Sequence, residues 1–142
     1  MPQTFGAPGT TNIDNVNANT DTLETLLAAA QSVARLVSAT GTSGDVANVK
    51  ASAATLYGIK GYNAATSIRY LKLYNSASAP TAGAGTPRET LALPPSAGFA
   101  FDYPQGLAFA TGLGYALVTG SADNNATSVT AADIVGLNIE YT

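Results

Sequence analysis

Nine carboxylates are the main chemical endowment of this chain: Asp14, Asp21, Glu24, Asp45, Glu89, Asp102, Asp123, Asp133 and Glu140. Two of them, held on either side of a sugar, would make the acid–base pair of a glycosidase. Nothing in their spacing sets such a pair beside a cleft, because most fall in expected turns, caps or outward strand positions. His is absent, which removes the commonest general base and a frequent metal ligand. Cys is absent too, so no thiol nucleophile or thiolate zinc site can form. A Ser–His–Asp triad cannot be assembled within one chain. The segment ADNNAT (122–127) has the composition of a hard-cation loop, but its spacing is not that of an EF-hand and the closing Glu is missing. Its Asp and Asn residues read as turn formers. GLGYALVTG (112–120) does not fit a dinucleotide-binding glycine pattern, and no helix follows it. The expectation is a non-enzyme with no catalytic residues, no metal and no cofactor.

Composition points the same way. The chain has 142 residues, enough for one domain with a real core, and 46% of them are hydrophobic. Only 11% are charged, well below the ~25% of ordinary soluble domains. The surface must be built from Ser, Thr, Asn, Gly and Ala, and such a surface packs on other protein with little desolvation cost. The six Lys and Arg are scattered and the net charge is −3, so no nucleic-acid partner is expected. No apolar run approaches the ~18 residues of a membrane span, and no signal peptide is evident.

Four segments are read along the chain. Residues 1–20 are polar and turn-rich, an extended arm whose only apolar anchors are Phe5, Ile13 and Val16. Residues 21–37 read as one α-helix: Asp21 with Glu24 gives a capping-box spacing, and three alanines favour helix. Leu23, Leu26, Ala30, Val33 and Val37 step by 3, 4, 3 and 4, an a/d stripe suited to self-association or docking. Residues 38–45, SATGTSGD, read as a flexible link.

From Val46 to Thr142 the pattern is β. TLYGIKGYN and SIRYLKLYN flank AAT and read as a hairpin in which Tyr62 pairs with Ile68. In that register Tyr57, Ile59, Leu71 and Leu73 face the core, while Lys60, Tyr62, Tyr70, Lys72 and Tyr74 form an exposed tyrosine–lysine face. GFAFDYP and IVGLNIEYT alternate as half-buried strands, and TLALP and YALVTG add two more. Short strands separated by turn clusters mean an antiparallel β-sandwich or jelly-roll-like domain.

In YLKLYNSASAPTAGAGTP and LPPSAGFAFDYPQGLAFATGLGYALVTGSADNNATSV the chain resembles small β-sandwich structural proteins of tailed bacteriophage virions. The resemblance is carried by Tyr70, Lys72, Tyr74 and Asn75 before Ala79-Pro80, by the small-residue loop to Thr86-Pro87, by GLAFATGLGYAL (106–117), and by Ala122-Asp123 leading to Thr127 and Val129. It spans about Leu56 to Thr142 and leaves the arm and helix outside. It implies a virion component with no activity: a protein that cements or decorates the outside of a capsid, or part of a fibre. The partner it implies is the major capsid protein or another virion protein, and the symmetry of virion sites suggests a dimer or trimer. The alternative reading is a fibre or adhesin module that binds a host receptor or glycan.

Overall fold

A computed structural model of the chain describes residues 31–42 and 45–142. The expected arm and the first part of the expected helix lie outside these residues, and with them Phe5, Ile13, Val16, Leu23, Leu26 and Ala30. The described part holds eight strands: β1 (Ser32–Ser38), β2 (Val46–Lys50), β3 (Ala54–Asn63), β4 (Arg69–Asn75), β5 (Glu89–Leu93), β6 (Ala97–Phe109), β7 (Leu113–Val118) and β8 (Ile134–Tyr141). They form two four-stranded antiparallel sheets, β1-β8-β3-β6 and β2-β7-β4-β5, here called the first and second sheet. Both contribute to one hydrophobic cluster, as stacked sheets do. Leu56, Ile59, Leu137 and Ile139 of the first sheet and Leu71, Leu73, Leu93 and Leu117 of the second are almost wholly buried. Each such side chain stabilises the fold by about 1.5–3 kcal/mol.

The pairing order follows a simple rule. β1 pairs with β8, β2 with β7, β3 with β6, and β4 with β5. The chain is therefore one long hairpin, turned between β4 and β5 and rolled so that β3 also meets β8 and β4 also meets β7. Consecutive strands alternate between the sheets except at the β4–β5 turn.

The structure departs from the sequence expectations at β1 and at the β3–β4 connection. The C-terminal part of the expected helix is strand β1. The run SVARLVS also has a period of two: Ala34 and Leu36 pack inward on the core, while Val33 and Val37 point out. The β-branched valines suit a strand, and six residue pairs with β8 supply tertiary contacts that override local helix propensity. β3 and β4 do not form the expected hairpin. These strands lie in different sheets, because β3 already has β6 on one side and β8 on the other. The chain crosses between the sheets at 64–68, where buried Asn63 holds it. Asn63 Nδ2 donates to the carbonyls of Ser67 (3.1 Å) and Leu93 (3.0 Å), and its Oδ1 accepts from Ala65 N–H (3.0 Å).

The described part of the expected flexible link is an ordered turn. The buried Asp45 carboxylate accepts from Thr40 N–H at 2.6 Å and Gly41 N–H at 2.8 Å. β6 departs from a plain strand as well. Leu56 faces Leu107 while Gly58 faces Asp102, so β6 bulges out between them. The bulge sends the Tyr103 hydroxyl to Glu89 Oε2 on β5, 2.8 Å away, which ties the two sheets together along that edge. A smaller irregularity in β8, at Gly136 with φ +60°, turns Ile134 inward and leaves Val135 half-buried.

Candidate functional site

The five residues expected on one exposed face are split between the sheets. Lys60 and Tyr62 lie on β3, on the outer surface of the first sheet, and both are exposed. Tyr70, Lys72 and Tyr74 lie on β4, where Leu71 and Leu73 turn inward and these three turn outward. Tyr70 is half-buried, but Lys72 and Tyr74 are buried. Alternation places them on the outside of the second sheet correctly; what it misses is that this outside is roofed.

The roof is two loops, 76–88 and 119–133. Pro80 of the first loop lies so close over β7 that a Cβ on Gly114 would be 2.7 Å from its Cδ. The loops also meet each other: a Cβ on Gly83, whose φ is +76°, would sit 2.7 Å from the Asn124 carbonyl and 2.9 Å from Ala126 Cβ. Only glycine fits that approach. Beneath this lid the outward residues of β7, Ala116 and Val118, are fully buried, so β7 is covered on both faces.

Lys72 holds the second loop down. Its ammonium donates to the carbonyls of Ala122 (2.5 Å), Asp123 (3.1 Å) and Asn125 (3.1 Å). Three donors meet three acceptors, so the buried cation is fully hydrogen-bonded. Burial pushes its pKa below the ordinary lysine value, partly opposed by the Asp123 carboxylate. The loop whose composition suggested a hard-cation site is thus gathered around a cation that the chain itself supplies. Among the described residues no group of three His, Cys, Asp or Glu side chains converges to hold a metal ion.

Tyr74 is the floor beside it. Its hydroxyl lies near the Gly83 backbone but outside hydrogen-bonding geometry, and burial raises its pKa, with the neighbouring backbone acting the other way. Between β4 and loop 76–88 opens a recess of about 490 Å³, lined by Tyr74, Asn75, Ser78, Pro80, Thr86 and Arg88 among others.

Two acids do lie together, on the open first sheet. Gly58 faces Asp102 on β6 and Glu140 on β8, and a Cβ there would be 3.1 Å from Glu140 Oε2 and 3.7 Å from Asp102 Oδ1. Glu140 is already paired with exposed Lys60 at 2.5 Å. This juxtaposition depends on the β6–β3–β8 order, which no local pattern encodes.

No family model, curated protein or solved structure matches the chain. Among the described residues the outer face of the first sheet carries no second layer, and β1 is an edge strand that pairs with β8 alone. Val33 is 55% exposed and Val37 69%, both aimed outward from that edge. Val37 lies between the Leu36–Leu137 and Ser38–Val135 pairs, and Val135 stands opposite Tyr62, which is 42% exposed. Gly98 continues the row on β6. Of the expected contact residues, the structure thus brings Val33, Val37 and Tyr62 to one surface and takes Lys72 and Tyr74 out of reach.

Proposed function

We propose that this chain is a structural virion protein that binds the outside of a phage capsid and cements or decorates neighbouring capsid subunits. The observation that carries the reading is the β1 edge, where two exposed β-branched valines stand on a strand that, among the described residues, is paired on one side only. Exposed edges of this kind invite pairing and are normally blunted by lysine, proline or a cover. Here the strand carries neither Lys nor Pro; its one charge is exposed Arg35, set between the two valines, and the face beyond it carries Tyr62 and Gly98 together with Lys60, Asp102 and Glu140. The rolled-hairpin order supports a jelly-roll sandwich, an architecture used for capsid bodies and lectins alike. A stiff body with a sticky edge suits repeated contact across a symmetric shell, where many weak contacts add.

The test is immunogold labelling of tailed-phage particles that carry this chain, using antibody to the sheet domain. Even label over the heads is the expected result. Label confined to tails or fibres sinks the capsid role and leaves the second reading, a fibre or adhesin module, which the recess beside β4 favours. Absence of label from particles removes both.

A further inference from the structure

We infer that the recess between β4 and loop 76–88 is a binding site for a carboxylate-bearing sugar. Its volume of about 490 Å³ lies within the 300–1,000 Å³ of small-molecule sites. No Asp or Glu lines it, although the chain as a whole is acidic, with a net charge of −3. Arg88 lines it instead. Among the described residues Arg88 has no carboxylate partner, and its neighbour Glu89 is turned away to the Tyr103 hydroxyl. The backbone N–H of Arg88 donates to the Leu73 carbonyl at 2.7 Å, which fixes the main chain, and the exposed side chain rests its guanidinium carbon 5.4 Å from the centre of the Phe109 ring. A stacked, unpaired guanidinium is prepared for two parallel hydrogen bonds to a carboxylate.

The rest of the wall asks for hydroxyl groups. Asn75 spends its Oδ1 on the amides of Thr111 (2.8 Å) and Gly112 (3.4 Å), which leaves the Nδ2 donors for a ligand. Thr81 and Thr86 line the recess, and a hydroxyl can donate or accept. Ala79 and Pro80 give the apolar surface against which the C–H face of a sugar ring packs, with the buried Tyr74 ring as the floor beneath. A neutral sugar would leave Arg88 unused, and a simple anion would leave the hydroxyls and the apolar wall unused. The walls are fixed in advance, because Pro80 is seated on β7 and Gly83 on the second loop, which Lys72 anchors. Little ordering is then lost on binding.

The experiment is a ¹⁵N NMR titration of the full chain with glucuronate, glucuronamide, glucose and acetate, alongside R88Q and T86V. Saturable shifts at the Ser78, Gly85 and Thr86 amides are expected with glucuronate. R88Q should weaken that binding about tenfold or more, as loss of a charge-assisted pair does, and T86V severalfold, both with the remaining spectrum unchanged. Equal binding of glucuronate and glucuronamide overturns recognition of the carboxylate. Acetate binding as well as glucuronate overturns recognition of the sugar. No saturable shift at these amides overturns the site. None of these results bears on the β1 edge, so this inference and the capsid reading fail separately.

Discussion

Replacing Lys72 with Met tests whether a buried ammonium organises the roof. Met fills nearly the same volume but removes all three donors from the carbonyls of Ala122, Asp123 and Asn125. Each buried acceptor left unpaired costs about 1–3 kcal/mol. Two effects reduce the sum. The ammonium no longer has to be desolvated, and the exposed loop can open to let water reach the carbonyls. Opening forfeits the Gly83 contact and uncovers Val118, so it is not free. The net loss is expected to be about 2–4 kcal/mol, or a melting temperature lower by roughly 8–16 °C for a domain of this size. Hydrogen exchange gives the local signature. The amide bonds Asn125 N–H to Ala122 O (2.8 Å), Thr119 N–H to Thr127 O (2.9 Å) and Gly120 N–H to Asn125 Oδ1 (3.1 Å) should lose protection, while Leu91 and Leu93 in β5 keep theirs. A K72M protein that melts within about 2 °C of the parent, with those amides still protected, would refute the anchoring argument.

Three further outcomes are expected. N63D sets a carboxylate oxygen against the Ser67 and Leu93 carbonyls; at pH 7 it should destabilise by about 3–5 kcal/mol, more than N63A, and acid should restore part of the loss because the introduced acid is then protonated. Urea midpoints at pH 7 and pH 4 check this, and N63D no worse than N63A at pH 7 contradicts it. G112A drives a Cβ to within 2.4 Å of the Ser76 carbonyl and 2.7 Å of the Lys50 carbonyl, so a loss of about 3 kcal/mol or more is expected in a thermal melt. Stability should also fall in alkali. Burial, with the Glu89 carboxylate adding to it, raises Tyr103 well above the ordinary tyrosine range, and burial raises Tyr74 and Tyr115. The unfolded chain releases these protons near pH ~10 while the folded protein keeps them. Their contribution is therefore complete below that pH and lost as pH climbs through the raised folded values. Urea unfolding at increasing pH should show the decline, with a shallower slope in Y103F; a flat profile in the parent would contradict it.

Much of the sheet domain was legible in the sequence because alternation is a local signal. Phe99, Phe101 and Tyr103 pack on the core as their spacing implies. Strand pairing was not legible, because β3 finds its partners in β6 and β8 rather than in the strand that follows it. β1 is masked by its own residues: Val33 and Val37 fit both a heptad and an alternating pattern, and the alanines before them favour helix. Lys72 was placed on the right side of its strand, but the loops that cover it come from elsewhere in the chain. Their length and their small residues, SASAPTAGAGTP and GSADNNATS, were the available signal, since long loops of small side chains can lie close on a sheet. The recess beside Arg88 has no counterpart in any local motif, because it exists only once loop 76–88 is folded back.

The rolled hairpin also fixes how the domain responds to being pulled. Ser32 at the start of β1 stands directly opposite Tyr141 at the end of β8. A force applied through those two points acts across the ladder rather than along it, so the β1–β8 hydrogen bonds are loaded one after another and part like a zip. Strands pulled lengthwise past each other would share the load among all their bonds at once. Tension between those two points is therefore the weak direction of this molecule, and shear along its strands the strong one.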